Sequence, residues 1–152
     1  MNAENCIPIE LTDTKQYLRL LCTLQKETAY IQLVQICGED ECDPVLVKAK
    51  ELMKLIKKED VNRWLGTISR GQKVPQYLFQ ANNFFFNYLK GFPSFFFNTK
   101  DKWGCDEVTE TAFGQDDIAF LDHGRRVLFY TTTHEGYAYA DPLVLSEKSR
   151  TK

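Results

Sequence analysis

The chain has 152 residues, of which 43% are hydrophobic and 26% are charged, and its formal net charge at pH 7 is −2. These values are those of one soluble globular domain, and they disfavour a disordered chain and a basic nucleic-acid-binding domain. The sequence has no run of about 18 apolar residues, and its start lacks the basic and apolar regions of a secretion signal. We therefore expect no membrane contact and a cytoplasmic location.

A single domain is predicted over residues 1–152, with frayed tails near residues 1–5 and 146–152. Charge is unevenly distributed along it. Residues 46–73 are rich in lysine and arginine, whereas residues 101–122 carry seven acidic side chains and Lys102 as the only basic one. Such asymmetry bears on the choice of partner and on association rates.

The first predicted helix follows Asp13, which has the spacing of a capping box with Gln16. Leucines then recur at helical spacing to about residue 25. Residues 28–37 are rich in β-branched and aromatic side chains, which predicts a strand covered on both faces.

A second helix is expected to begin at Asp43 as N-cap, with Pro44 in the first turn, where its missing N–H costs nothing. An apolar stripe and an opposite lysine-rich face extend this helix through Lys58. A short helical turn is predicted over residues 61–65, and a polar loop over residues 69–73.

Pro75 predicts the start of a third helix over residues 76–90, which Gly91 would end. The Phe84–Phe86 run within it also suits a strand, because periodicity does not decide so short an apolar run. The segment of residues 92–97 is expected to be extended, since a proline does not sit inside a central strand.

Residues 104–115 have no helical period and are predicted to form an acidic loop. A β-meander follows over residues 117–122, 126–133 and 137–141, with turns at His123-Gly124 and Glu135-Gly136. The predicted fold class is therefore α+β, with about three helices packed on a small, mainly antiparallel sheet that ends in this meander.

No complete catalytic, metal or cofactor motif occurs in the sequence. Cys37 and Cys42 have a loose zinc spacing but lack a second pair of ligands, so two reduced thiols are expected. His134-Glu135 begins a metalloprotease-like pattern, but Ala138 stands where its second histidine should be. Glycine-rich phosphate loops are absent as well. We predict no catalytic residue, no metal and no cofactor.

Two alternatives remain open. A small cysteine-dependent hydrolase would use Cys105 and His134, although the neighbouring acids disfavour a thiolate at Cys105. A scaffold subunit would oligomerise through the phenylalanine-rich segment of residues 84–97, which is more simply explained as core.

The meander sequence, in particular residues 114–122 and 127–137, resembles C-terminal hairpins of small bacterial immunity proteins, including those paired with contact-dependent inhibition toxins. This resemblance implies a cytosolic inhibitor that binds a toxin domain and performs no chemistry of its own. The partner would be a protein with a basic cleft, without nucleic acid or membrane. Carboxylates would steer it and an aromatic side chain would anchor it. The predicted contact residues are Asp106, Glu107, Glu110, Asp116, Asp117, Asp122, Glu135 and Tyr137.

Overall fold

A computed structural model describes residues 3–36, 43–68 and 71–145. Its helices are α1 (Thr14–Glu27), α2 (Pro44–Leu52), α3 (Asn83–Leu89) and a 3₁₀ turn (Thr133–Glu135), with a last helical turn at residues 142–145. Its strands are β1 (Ile7–Ile9), β2 (Tyr30–Val34), β3 (Lys54–Val61), β4 (Arg63–Trp64), β5 (Thr67–Ile68), β6 (Val74–Gln80), β7 (Phe96–Lys100), β8 (Asp106–Glu110), β9 (Asp117–Leu121), β10 (Val127–Thr132) and β11 (Tyr137–Ala140). Within these ranges no helix is both long and apolar enough to cross a bilayer.

Seven strands form one sheet in the order β1-β11-β10-β9-β2-β6-β3, and every neighbouring pair is antiparallel. Two small hairpins, β4–β5 and β7–β8, stand outside it. The α+β class is confirmed, and so is the closing meander of β9, β10 and β11. The two outermost strands of the sheet, β1 and β3, come from parts of the chain where no strand was predicted.

The predicted starts of the first two helices are confirmed. The Asp13 carboxylate accepts a hydrogen bond from the Gln16 amide at 2.7 Å, and the Asp43 carboxylate accepts one from the Leu46 amide at 3.0 Å. The return bond of the predicted capping box goes elsewhere, because the Gln16 side chain accepts from the amide of Thr12 instead of that of Asp13.

The second helix ends earlier than predicted, at Leu52, and the lysine-rich stretch after it is the edge strand β3. An edge strand open to solvent has no apolar alternation, so its sequence looks like the polar face of a helix. Charged edge strands also resist pairing with other chains, which suits the lysines here. The helical turn predicted over residues 61–65 is also wrong. Strand β3 ends at Val61 and strand β4 occupies Arg63–Trp64.

The predicted helix of residues 76–90 combines two elements. Pro75 lies within strand β6, opposite Asp60 of the edge strand β3, so β6 and not a helix follows it. The helix α3 begins only after Asn82, whose side chain accepts from the Phe85 amide at 3.0 Å and donates to the Leu52 carbonyl at 2.6 Å. Asparagine is a favoured N-cap residue, so Asn82 could have indicated this helix start. The prediction placed the start at Pro75 instead.

The acidic segment predicted as a loop contains strand β8, which pairs along its whole length with β7. All of its side chains are exposed, so no apolar alternation marks it as a strand. The extended segment predicted over residues 92–97 becomes a strand only from Phe96.

Of the two predicted tails, the structure describes only residues 3–5 of the first. Asn5, expected in a frayed tail, donates from its side chain to the Val127 carbonyl at 3.0 Å and to Asp141 at 2.7 Å. Residues 146–152 and the Cys37–Cys42 pair lie outside the described ranges.

The core lies between the helices and one face of the sheet, and its centre is aromatic. Phe95 is fully buried and contacts the rings of Tyr17, Phe113, Phe120 and Phe129 at centroid distances of 4.9–6.2 Å. The phenylalanine-rich segment therefore supplies core side chains, as composition suggested.

Candidate functional site: an acidic groove

Four of the predicted contact residues line one groove of about 580 Å³, between strand β1, the β7–β8 hairpin and the start of β11. Asp106 and Glu107 come from β8, whereas Glu135 and Tyr137 come from the corner between β10 and β11. Glu10, which the sequence did not single out, completes the acidic lining. The groove is lined by Pro8, Ile9, Glu10, Asn98, Asp106, Glu107, Val108, Glu135, Gly136 and Tyr137.

Asn98 holds the β7–β8 hairpin against the sheet. Its side-chain carbonyl accepts from the Leu11 amide at 3.1 Å, and its side-chain amide donates to the Gly136 carbonyl at 3.0 Å. Its backbone N–H also donates to the Leu11 carbonyl at 2.8 Å. Asn98 thus connects three walls of the groove. No local sequence pattern predicts this role, because its partners are distant in sequence.

Gly136 sets how closely β8 approaches the sheet. Its φ of 75° lies in the left-handed region that glycine tolerates best. A Cβ at this position would lie 2.1 Å from Cγ2 of Val108, so only glycine lets the hairpin pack here. The predicted turn at Glu135-Gly136 is present, but its steric role depends on a contact between residues distant in sequence.

The groove carries more negative than positive charge. Lys100 forms an ion pair with Asp106, and that hydrogen bond and charge, with a smaller contribution from Glu10, raise the pKa of the lysine. In the described part of the chain, Glu10 and Glu107 have no ion pair. The side chain of Tyr137 is exposed beside them, with 53% of its surface accessible. A basic and partly apolar partner surface would complement this groove.

A buried polar corner positions Glu135. Asp117 accepts from the Trp64 indole N–H at 2.8 Å and from the Thr133 amide at 2.8 Å. Nδ1 of His134 lies 3.5 Å from the same carboxylate, and its Nε2 lies 3.3 Å from Glu135. Burial raises the pKa of Asp117, while the hydrogen bonds from Trp64 and Thr133 oppose that rise.

The remaining predicted contact residues lie outside the groove. Asp116 and Asp117 were expected on an exposed loop, but only 4% and 3% of their surfaces are accessible, so they are not contact residues. Both residues are buried because Trp64 and Thr133 donate hydrogen bonds to the Asp117 carboxylate, and the Thr133 hydroxyl donates to the Asp116 carbonyl. Asp122 caps the β9–β10 turn by accepting from the amides of residues 124 and 126, and Glu110 accepts from Gln115.

Asp116 forms a carboxyl pair with Asp43, the N-cap of α2. In the described ranges, neither Oδ2 atom of this pair receives an N–H or O–H from another group. A proton on Asp116, shared with Asp43, would supply the missing donor between the two carboxyls. Burial, then the hydrogen bond and the charge of Asp43, raise the pKa of Asp116 to about 9.

We expect the Asp116→Asn variant to flatten the pH dependence of stability. The folded pKa of Asp116 lies above its unfolded value of 3.8. The folded state therefore binds more protons between about pH 4 and pH 9, and stability falls as pH rises through that window. The wild-type slope should exceed that of the variant by up to about 1.4 kcal/mol per pH unit.

Chemical denaturation at several pH values measures this slope. Asp60→Asn, at an exposed position, is the control, and parallel wild-type and Asp116→Asn curves would contradict the shared proton.

The side chains required by the hydrolase alternative are not joined. Cys105 is bound through its backbone to Asp101, and among the described residues no hydrogen bond connects its sulfur to His134. The two imidazole nitrogens face Asp117 and Glu135 instead. No group of three or more potential metal ligands occurs in the described ranges.

The acidic groove is thus the place where the predicted contact residues converge, with Glu10 and Asn98 as additions from outside the predicted segment. Comparison of the chain with protein-family models, with curated proteins and with solved structures gives no match.

Proposed function

We propose that the chain is a non-enzymatic binding protein of the immunity type, which neutralises a cognate bacterial toxin domain in the cytoplasm by direct contact. The observation that carries this proposal is the acidic groove, in which Glu10, Asp106, Glu107 and Glu135 surround an open, partly apolar surface. Carboxylates arranged in this way steer a basic partner and form charge-assisted hydrogen bonds with its lysine and arginine side chains.

The groove also has what a specific contact needs besides charge. Tyr137 and Val108 are exposed on its wall, and aromatic anchors contribute strongly to binding energy in protein interfaces. Asn98 and Gly136 fix the wall that carries Asp106 and Glu107, so the charged groups are preorganised. Preorganisation lowers the entropy lost when a partner binds.

If the gene directly upstream encodes a large secreted protein, the C-terminal domain of that protein is the partner to test. We expect the purified chain to bind that domain and to protect cells that express it. A triple variant, Glu10→Gln with Glu107→Gln and Glu135→Gln, should bind more weakly by about tenfold or more at low salt, because the steering charges are lost. Isothermal titration calorimetry measures the change.

A matched control variant distinguishes an effect of the groove from an effect of net charge. Glu27→Gln, Glu51→Gln and Asp60→Asn also remove three exposed negative charges, at positions outside the groove. This control should bind as the wild-type chain does. Equal weakening by both triple variants would show that net charge alone acts, and a metabolic operon upstream would argue against immunity altogether.

A further inference from the structure

A second cavity, of about 440 Å³, lies between the sheet and the β4–β5 hairpin. This volume falls within the range of small-molecule sites. The cavity shares no lining residue with the acidic groove. Its lining consists of Gln32, Glu59, Val61, Arg63, Trp64, Leu65, Gly66 and Gln76.

The floor of the cavity is polar and comes from three adjacent strands. Gln76 of β6 is paired with Glu59 of β3, and Gln32 of β2 is paired with Leu78, two residues beyond Gln76. Residues two apart in a strand point to the same face, so these three polar side chains share one face of the sheet. Gln76 also donates to the Glu59 carboxylate at 3.2 Å.

Gln32 is the unusual member of this floor. Only 3% of its surface is accessible. Its side-chain amide makes no hydrogen bond with the described residues, yet it is not one of their fully enclosed unpaired groups, so it reaches the open space of the cavity that it lines. Because this amide lines the cavity, a bound molecule can supply the missing partner.

The hairpin that covers the cavity is fixed in place. The Trp64 indole N–H donates to the buried Asp117 at 2.8 Å. Gly66 has a φ of 78°, and a Cβ there would lie 2.6 Å from Cγ2 of Thr132, so the hairpin packs closely on β10. The cavity is therefore enclosed between the sheet and a hairpin that these two contacts hold against it.

The charges lining the cavity are one cation and one anion. Arg63 has no ion pair within the described residues, and Glu59 contacts Lys57 at 3.1 Å. A phosphate ester would meet a single arginine and an unfavourable carboxylate, whereas a zwitterion would satisfy both charges. Val61, Leu65 and Trp64 add apolar surface beside them.

We propose that this cavity binds a free L-α-amino acid with an apolar or aromatic side chain. Arg63 pairs with its carboxylate and Glu59 with its ammonium group, as expected for charge-assisted hydrogen bonds. The amide of Gln32 completes the polar contacts, and the side chain of the ligand packs against the apolar wall.

The test uses L-leucine, L-phenylalanine, L-leucinamide, L-glutamate and adenosine monophosphate as probes in thermal-shift and calorimetric titrations of the full chain. L-leucine or L-phenylalanine should raise the melting temperature, as ligands that bind only the folded state do. L-leucinamide, which lacks the carboxylate, should bind the wild-type chain about tenfold more weakly. Arg63→Ala should bind L-leucine and its amide equally weakly, because the group that distinguishes them is gone.

Gln32→Met tests the floor without changing its volume. This variant should lose the ligand-induced shift while its own melting temperature stays close to that of wild type, since the side-chain volume is kept and the amide makes no hydrogen bond with the described residues. Gln80→Met, at an exposed position outside the cavity, is the matched control and should behave as wild type. The proposal is overturned if no apolar amino acid shifts the melting temperature, if Gln32→Met binds as wild type does, or if adenosine monophosphate binds more tightly than L-leucine.

Discussion

Replacing Phe95 with alanine is expected to lower the free energy of unfolding by about 3–5 kcal/mol. The side chain is fully buried at the centre of the core. It touches rings from α1, from the segment before β9, and from β9 and β10, so its loss leaves a cavity that no single neighbour fills. Urea or guanidinium denaturation, with the midpoint and slope fitted separately, measures the effect.

The matched control is Phe84→Ala, the same chemical change in a side chain that is 70% exposed. This variant should change stability by less than about 0.5 kcal/mol, as surface substitutions usually do. A loss below about 1 kcal/mol at Phe95 would mean that the aromatic cluster is not the centre of the core.

Replacing Gly136 with alanine is expected to lower the free energy of unfolding by about 2–4 kcal/mol. Two costs add here. Alanine is strained at a φ of 75°, and its Cβ would lie 2.1 Å from Cγ2 of Val108. The β7–β8 hairpin must then move away from the sheet, which also displaces Asp106 and Glu107 from the groove. If the proposed function holds, binding to the toxin domain should weaken together with stability.

Gly104→Ala measures the first cost, the backbone strain, alone. Gly104 has a φ of 80°, similar to that of Gly136, but a Cβ there would meet no atom within 4 Å. This control should lose only the backbone strain, about 1–2 kcal/mol. Equal losses at the two glycines would mean that the close contact with Val108 does not constrain the hairpin.

The parts of the fold that could be predicted are those that depend on local chemistry. Asp13 and Asp43 cap helices through bonds to amides three residues away, and such spacing is visible in the sequence. The meander also follows from short apolar, β-branched and aromatic runs separated by turn residues. Both signals act within a few residues, so no knowledge of distant contacts is needed.

The strands β3 and β8 could not be predicted in this way. Each lies at an edge or in an isolated hairpin, and its side chains face solvent on most sides. Without a buried face there is no alternation, and lysine-rich or acidic stretches look like helix surface or loop. Their pairing with β6 and β7 is decided by partners elsewhere in the chain.

The candidate site was predicted in part for the same reason. Asp106, Glu107, Glu135 and Tyr137 were found from charge and turn position, and they do line one groove. Glu10 was missed because it joins the groove only through the pairing of β1 with β11. Asp116 was assigned to the surface because its burial against Asp43 links residues far apart in sequence.

The central claim, that the acidic groove binds a basic toxin domain, is tested most directly by the dependence of affinity on salt. We predict that the affinity of wild-type chain for the upstream-encoded domain falls as salt rises, because screening weakens contacts between exposed charges. The Glu10, Glu107 and Glu135 triple variant should show a much flatter dependence, whereas Tyr137→Ala should weaken binding at every salt concentration. Absence of binding at low salt, or the same salt dependence in wild type and the triple variant, would contradict the claim.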